Sequence, residues 1–122
     1  MLYYEHARLK KKLSRILEKH SALSHKLKSV VMGDLATRYD MIFEDSDKKF
    51  HYVHESCRLG RTLVCLINEY ENKGYRLVFH VMGDLATRHE LFFEKEVWFY
   101  VYKCLINLYY VWQNLHSRIY YL

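Results

Sequence analysis

The octapeptide Val31-Met32-Gly33-Asp34-Leu35-Ala36-Thr37-Arg38 recurs unchanged as Val81-Met82-Gly83-Asp84-Leu85-Ala86-Thr87-Arg88, fifty residues further on. An identical run of this length in a 122-residue chain is a duplication, and it frames the reading of everything else. The likeness continues outward. Tyr39-Asp40-Met41-Ile42-Phe43-Glu44 matches His89-Glu90-Leu91-Phe92-Phe93-Glu94 by residue class, and Lys26-Leu27 matches Arg76-Leu77 upstream. A second echo, Cys-Leu-Ile-Asn at 65–68 and 104–107, is offset by only 39, which reads as a shortening between the motifs. Two copies are too few for a solenoid. The expected organisation is one compact domain over 1–122, pseudo-two-fold, with repeat units near 16–65 and 66–115.

Immediately after the first octamer, Tyr39, Met41 and Phe43 alternate with Asp40 and Glu44. His89, Leu91 and Phe93 alternate with Glu90, Phe92 and Glu94 after the second. Period-two alternation marks a strand. Gly33 and Gly83 tolerate positive φ, and Asp34 and Asp84 favour turns. Each octamer therefore reads as the turn of an antiparallel hairpin, with Arg38 or Arg88 pairing back to the Asp across the tip.

Upstream, Leu2, His6, Leu9, Leu13, Ile16, His20, Leu23 and Leu27 stand at alternating steps of four and three, a heptad seam that predicts a helix over 2–27. The segment 50–55 reads either as a third strand or as part of a long helix carrying Phe50, Val53, Cys57, Val64 and Ile67 inward. Residues 61–72 are helical on both readings, with Gly74 at the C′ position. Tyr75–Met82 reads as a strand. Val97–Tyr102 repeats the ambiguity, and Leu105, Leu108, Trp112, Leu115 and Ile119 mark a final helix. The fold class expected is α+β: a basic N-terminal helix, then two duplicated β-hairpin units in one sheet, each followed by a helix, in the order α-ββ(β)-α-ββ(β)-α. A wholly helical fold, with Asp34 and Asp84 as N-caps, is the alternative.

Composition supports a folded body. Hydrophobic residues reach 51% and charged residues 27%, which excludes a disordered tail. Proline is absent and glycine numbers four, so the elements are long and sharp turns few. The net charge of +5 is uneven. Residues 1–29 carry eight Lys/Arg against Glu5 and Glu18, and the remaining 93 residues are close to neutral. A basic segment on a neutral body favours an anionic partner: nucleic acid, or an acidic protein or nucleoprotein surface.

Chemistry-bearing motifs are sparse. His51, His54 and Cys57 form an H-x-x-H-x-x-C run, but no C-x-x-C completes a tetrahedral set, and ordinary polar or core roles are expected. No nucleophile elbow, zinc-protease helix, phosphate loop or dinucleotide fingerprint occurs. No catalytic residue, cofactor or metal is assigned, and the chain is read as a non-enzymatic protein. Cys57, Cys65 and Cys104 are odd in number and lack paired spacing. The N-terminus, Met-Leu-Tyr-Tyr-Glu-His, has no apolar leader. Both features point to free thiols and a cytoplasmic location. Val97–Leu115 carries only Lys103 as a charge, but Asn107, Gln113 and Asn114 argue against a membrane span.

The candidate binding residues are Arg8, Lys11, Lys12, Arg15 and Lys19, which form an outward stripe opposite the Leu9/Leu13 seam, and Arg38 and Arg88 in the duplicated turn. With Tyr3 and Tyr4 nearby, the stripe suits nucleic acid. Over residues 5–72 the order α-βββ-α with a basic first helix resembles the double-stranded-RNA-binding fold in topology. That family's Lys-Lys-x-x-Lys stretch is absent, with only Arg58 and Arg61 there, so none of its residues is carried over. The expected function is a small regulator contacting nucleic acid through its N-terminal helix. The alternative is a protein-binding inhibitor or adaptor of the kind viruses and mobile elements encode. The heptad seam, with Trp98, Tyr109, Tyr110, Trp112, Tyr120 and Tyr121 near the C-terminus, adds the expectation of a homodimer, while His6 and His20 are read as reaching the edge of a helix that lies on the sheet, a register-setting dimer position being the alternative.

Overall fold

The computed structural model describes residues 1–97 and Trp112, which is helical and exposed. The other expectations for the region after Val97 lie outside the described residues. The elements are β1 (Leu2–Ala7), α1 (Lys10–Ala22), β2 (His25–Gly33), β3 (Arg38–Asp45), β4 (Lys49–Cys57), α2 (Gly60–Asn72), β5 (Arg76–Gly83) and β6 (Arg88–Val97). Two βαββ units follow one another, and the fold is α+β, not all-helical.

Both octamers are hairpin turns, with β2 antiparallel to β3 and β5 antiparallel to β6. The predicted N-terminal helix over 2–27 is corrected. Leu2–Ala7 is a strand paired with β3 from Leu2↔Glu44 to Ala7↔Tyr39, and only Lys10–Ala22 is helical. The reason is an edge to fill: β3 pairs with β2 on one side, and Leu2-Tyr3-Tyr4-Glu5-His6 has the alternation and aromatic content to pair on the other. The expectation of one shared sheet is also corrected. There are two three-stranded sheets, ordered β1-β3-β2 and β4-β6-β5. The first hairpin is followed by a strand, β4, which pairs with β6 at the edge of the second sheet and adds no strand to the first. The resemblance to the double-stranded-RNA-binding topology therefore does not hold.

The helices repeat each other closely. Leu13, Ile16, Leu17 and His20 are buried on α1, and Leu63, Leu66, Ile67 and Tyr70 occupy the equivalent positions on α2. Both helices are followed by a residue with positive φ, Ser24 at 57° and Gly74 at 89°. Both sheets carry a bulge in the strand that follows the helix, at Leu27/Ser29 and Leu77/Phe79.

The units are not arranged as a two-fold pair. α1 packs across β4, whereas α2 packs on β4 and β5 of its own unit. The face of the second sheet that carries Phe50, Tyr52 and Phe92 lies against the α1-bearing face of the first sheet. There it joins Leu13, Leu27, Val30, Tyr39, Met41 and Phe43 in one core. α2 covers the opposite face of the second sheet, where Tyr70 stacks on Phe93 at 4.5 Å. The second sheet is thus buried on both sides, which explains why Glu90 and Glu94, alternating like a solvent face in the sequence, lie inside.

Candidate nucleic-acid interface

α1 is amphipathic at about 100° per residue. Its buried side is fixed by Leu13, Ile16, Leu17 and His20, so Lys11, Lys12, Arg15 and Lys19 face solvent. Lys11, Lys12 and Arg15 make no ion pair among the described residues. Lys19 is engaged with Glu5 on β1 at 3.2 Å, and Lys10 bonds Ser56 on β4. The start of α1 is unusual electrostatically. Its N-cap is Leu9, which offers no side-chain acceptor, and its first turn holds lysines and no acid. The partial positive charge of the N-terminus is thus compounded by cations, an arrangement that an anion relieves.

Arg8 stands apart from this stripe. It lies between β1 and α1 and reaches the tip of the first hairpin, where it pairs with Asp34 and donates to the Thr37 hydroxyl at 2.8 Å. Arg58 repeats the arrangement in the second unit, with Asp84 at 2.5 Å and Thr87 at 2.7 Å. The Arg58 guanidinium holds the Asp84 carboxyl below its usual range. The pairing of Arg38 and Arg88 across the tip is corrected accordingly. Arg38 bonds Asp40 on its own strand at 3.0 and 3.2 Å, and Arg88 bonds Glu90. The signal that identifies the true partner is in the sequence: Arg8-Leu9 and Arg58-Leu59 also lie fifty residues apart.

The tips carry strain where non-glycine residues hold left-handed backbone. Asp34, Leu35 and Ala36 have φ of 49°, 56° and 60°, and Asp84, Leu85 and Ala86 have 50°, 56° and 65°. Each costs about 1–2 kcal/mol for an L-residue. Gly33 and Gly83 are not the positive-φ residues. They make room instead, since a Cβ on Gly33 would collide with an Asp40 carboxylate oxygen and one on Gly83 would stand 2.8 Å from Glu90. The two tips touch: the Asp84 N–H donates to the Ala36 carbonyl at 2.8 Å. Around them Leu9, Leu35, Leu59 and Leu85 are exposed.

Two buried carboxylates on β6 escaped the sequence reading. Glu90 meets His54 at 2.5 Å as well as Arg88, and Glu94 accepts from Tyr52 at 2.7 Å and from Arg76 at 2.8 Å. Burial opposes the charge on Glu90, but the hydrogen bonds from His54 and Arg88 outweigh it and hold its pKa below the usual value. Both acids are neutralised by their neighbours and serve the junction between the units. The metal-like run is dispersed by β4: His54 points to Glu90, while exposed His51 bonds Tyr75 at 2.7 Å from the other face and Cys57 is buried. A cleft lined by Lys26, Lys48 and Arg76 is balanced by Asp47, Glu94 and Glu96, so it carries no net attraction for an anion. Among the described residues, no helix is long and apolar enough to cross a membrane. No family model, no curated protein and no solved structure matches this chain.

Proposed function

We propose that this chain is a non-enzymatic binding protein that holds nucleic acid against the solvent face of α1. The observation that carries the reading is the set Lys11, Lys12 and Arg15, exposed and without an acidic partner among the described residues. Phosphate contacts from such side chains supply affinity without sequence readout. The uncapped, acid-free helix start adds to the same field. Arg8, Lys19, Arg38 and Arg88 are each paired with an acid and contribute less.

The test is a Lys11→Gln, Lys12→Gln, Arg15→Gln variant in a salt titration against a short duplex and a single strand. The expected result is unchanged folding, weaker binding, and a log–log salt slope shallower by about two to three, at roughly 0.9 for each duplex phosphate no longer neutralised. Parental binding by the variant would make this face a solubilising surface only. A second reading, a protein-binding inhibitor or adaptor, draws on the exposed Leu9, Leu35, Leu59 and Leu85 around the tips. Binding that resists salt but fails in Leu35→Asp, Leu85→Asp selects it over the first.

A further inference from the structure

The junction between the two units uses two different faces, and each unit possesses both. The fifty-residue offset makes the comparison residue by residue. On the second unit, the docking face is the outer side of the sheet, with Tyr52 5% exposed and Phe92 fully buried. The same positions on the first unit are Leu2, 58% exposed, and Ile42, half-buried, joined by exposed Tyr4 and Val31. On the first unit, the receiving face is the flank of α1. There Ser14, Leu17 and Glu18 line the contact with His51–His54 of β4, and Val30 and Tyr39 are buried. The matching positions on the second unit are Val64, which is 56% exposed, Ile67, Asn68, exposed His80 and half-buried His89. An exposed valine thus stands where the first helix meets a strand.

The two unfilled faces cannot meet within one chain. Leu2, Tyr4 and Ile42 lie on the side of the first sheet that faces away from α1, and α2 lies on the side of the second sheet that faces away from the first unit. They are the two ends of the stack. We propose that this chain associates head to tail: the outer face of the first sheet of one copy docks on α2 of the next, in the place that β4 takes on α1.

Two details favour a second copy as the occupant. The internal bond between the tips runs one way, from the Asp84 N–H to the Ala36 carbonyl. Continued by the same step, the Asp34 N–H of a following copy meets the Ala86 carbonyl, so the operation between units can be repeated from copy to copy. Polar character is also matched. Inside the chain Tyr39 neighbours the Glu90 carboxylate held by Arg88, and at the new junction their equivalents place His89, bonded to His80, against the Asp40 carboxylate held by Arg38. A heterologous contact of this kind forms open chains or closed rings, not a two-fold dimer.

The test uses the full chain and two variants, Tyr4→Lys on the donating face and Val64→Lys on the receiving face. Both residues are exposed, so circular dichroism and thermal unfolding should match the parent. In sedimentation up to about 1 mM, near the effective concentration of a short-linked pair, the parent should form species larger than a dimer. Each variant alone should stay monomeric, because every copy lacks the same face, and an equimolar mixture should form a dimer through its one intact pair of faces. A monomeric parent throughout, a dimer unaffected by either variant, or a mixture that stays monomeric would overturn the proposal.

Discussion

Tyr52→Phe and Tyr39→Phe remove the same atom from two buried tyrosines, and opposite outcomes are expected. The Tyr52 hydroxyl accepts from the Leu27 N–H at 2.9 Å and donates to Glu94 at 2.7 Å, so it pins the second unit to the bulged strand of the first. Burial and Glu94 push its pKa far above the usual phenol range, so it stays a donor at any working pH. Its loss orphans a backbone donor, at about 1–3 kcal/mol, and weakens the solvation of a buried carboxylate that keeps Arg76. A total near 3 kcal/mol is expected. The Tyr39 hydroxyl is equally buried and lies beside Glu90, yet no hydrogen-bond partner among the described residues satisfies it. Removing it should cost less than about 0.5 kcal/mol, or stabilise, because an unsatisfied polar atom leaves the core. Urea unfolding reads the difference: with m near 2 kcal/mol/M, Tyr52→Phe should lower the midpoint by about 1.5 M and Tyr39→Phe should leave it in place or raise it. Equal losses from both variants would refute the assignment of the Tyr52 hydroxyl as the pin.

Burial lowers the pKa of His20, which stacks on Phe43 at 3.9 Å, although Glu5 lies 3.5 Å away and opposes the shift. The unfolded imidazole then binds protons more readily, so stability should fall as pH drops below about 6.5, as urea midpoints at pH 7.5 and 5.5 would record. His20→Tyr, which copies Tyr70 of the second unit, should flatten that dependence while keeping the fold. Ala36→Gly and Ala86→Gly should each stabilise by about 0.5–1 kcal/mol, seen as a higher Tm, because glycine holds positive φ without steric cost. Ser24→Gly should give a similar gain at the end of α1, where Gly74 already serves α2; a loss would show that the Ser24 side chain is engaged.

The local features were readable. Gly-Asp between alternating stretches specified the hairpins, and the helical reading of 61–72 with Gly74 at C′ placed α2 within a residue or two, although Val64, set inward on the long-helix alternative, is exposed. The N-terminal strand was hidden by a coincidence. Leu2, His6 and Leu9 fall at helical spacing, and only pairing with β3, a tertiary event, selects the alternation of Tyr3, Glu5 and Ala7 instead. The fifty-residue match of Glu5, Arg8, Leu9 and Leu13 to Glu55, Arg58, Leu59 and Leu63 was the available warning. Stacking of the two sheets left no such trace, because Glu90 and Glu94 are written like surface residues and their partners His54, Tyr52 and Arg76 come from the two neighbouring strands of the same sheet, β4 and β5. Of the candidate interface, Lys11, Lys12 and Arg15 followed from helical period alone. The engagement of Arg8, Lys19, Arg38 and Arg88 depended on where loops and strands ended.

Only Ser46, Asp47 and Lys48 separate β3 from β4. A connection that short confines the second unit to within about 10–14 Å of the end of the first. Encounter between the two faces is then intramolecular, at an effective concentration on the order of millimolar. The tether adds to the Tyr52 hydroxyl and buried Phe92 in making this junction the permanent one. Lengthening it with a flexible glycine-serine insert would dilute the partner that competes for the same face, and would turn a fixed seam into an exchangeable one.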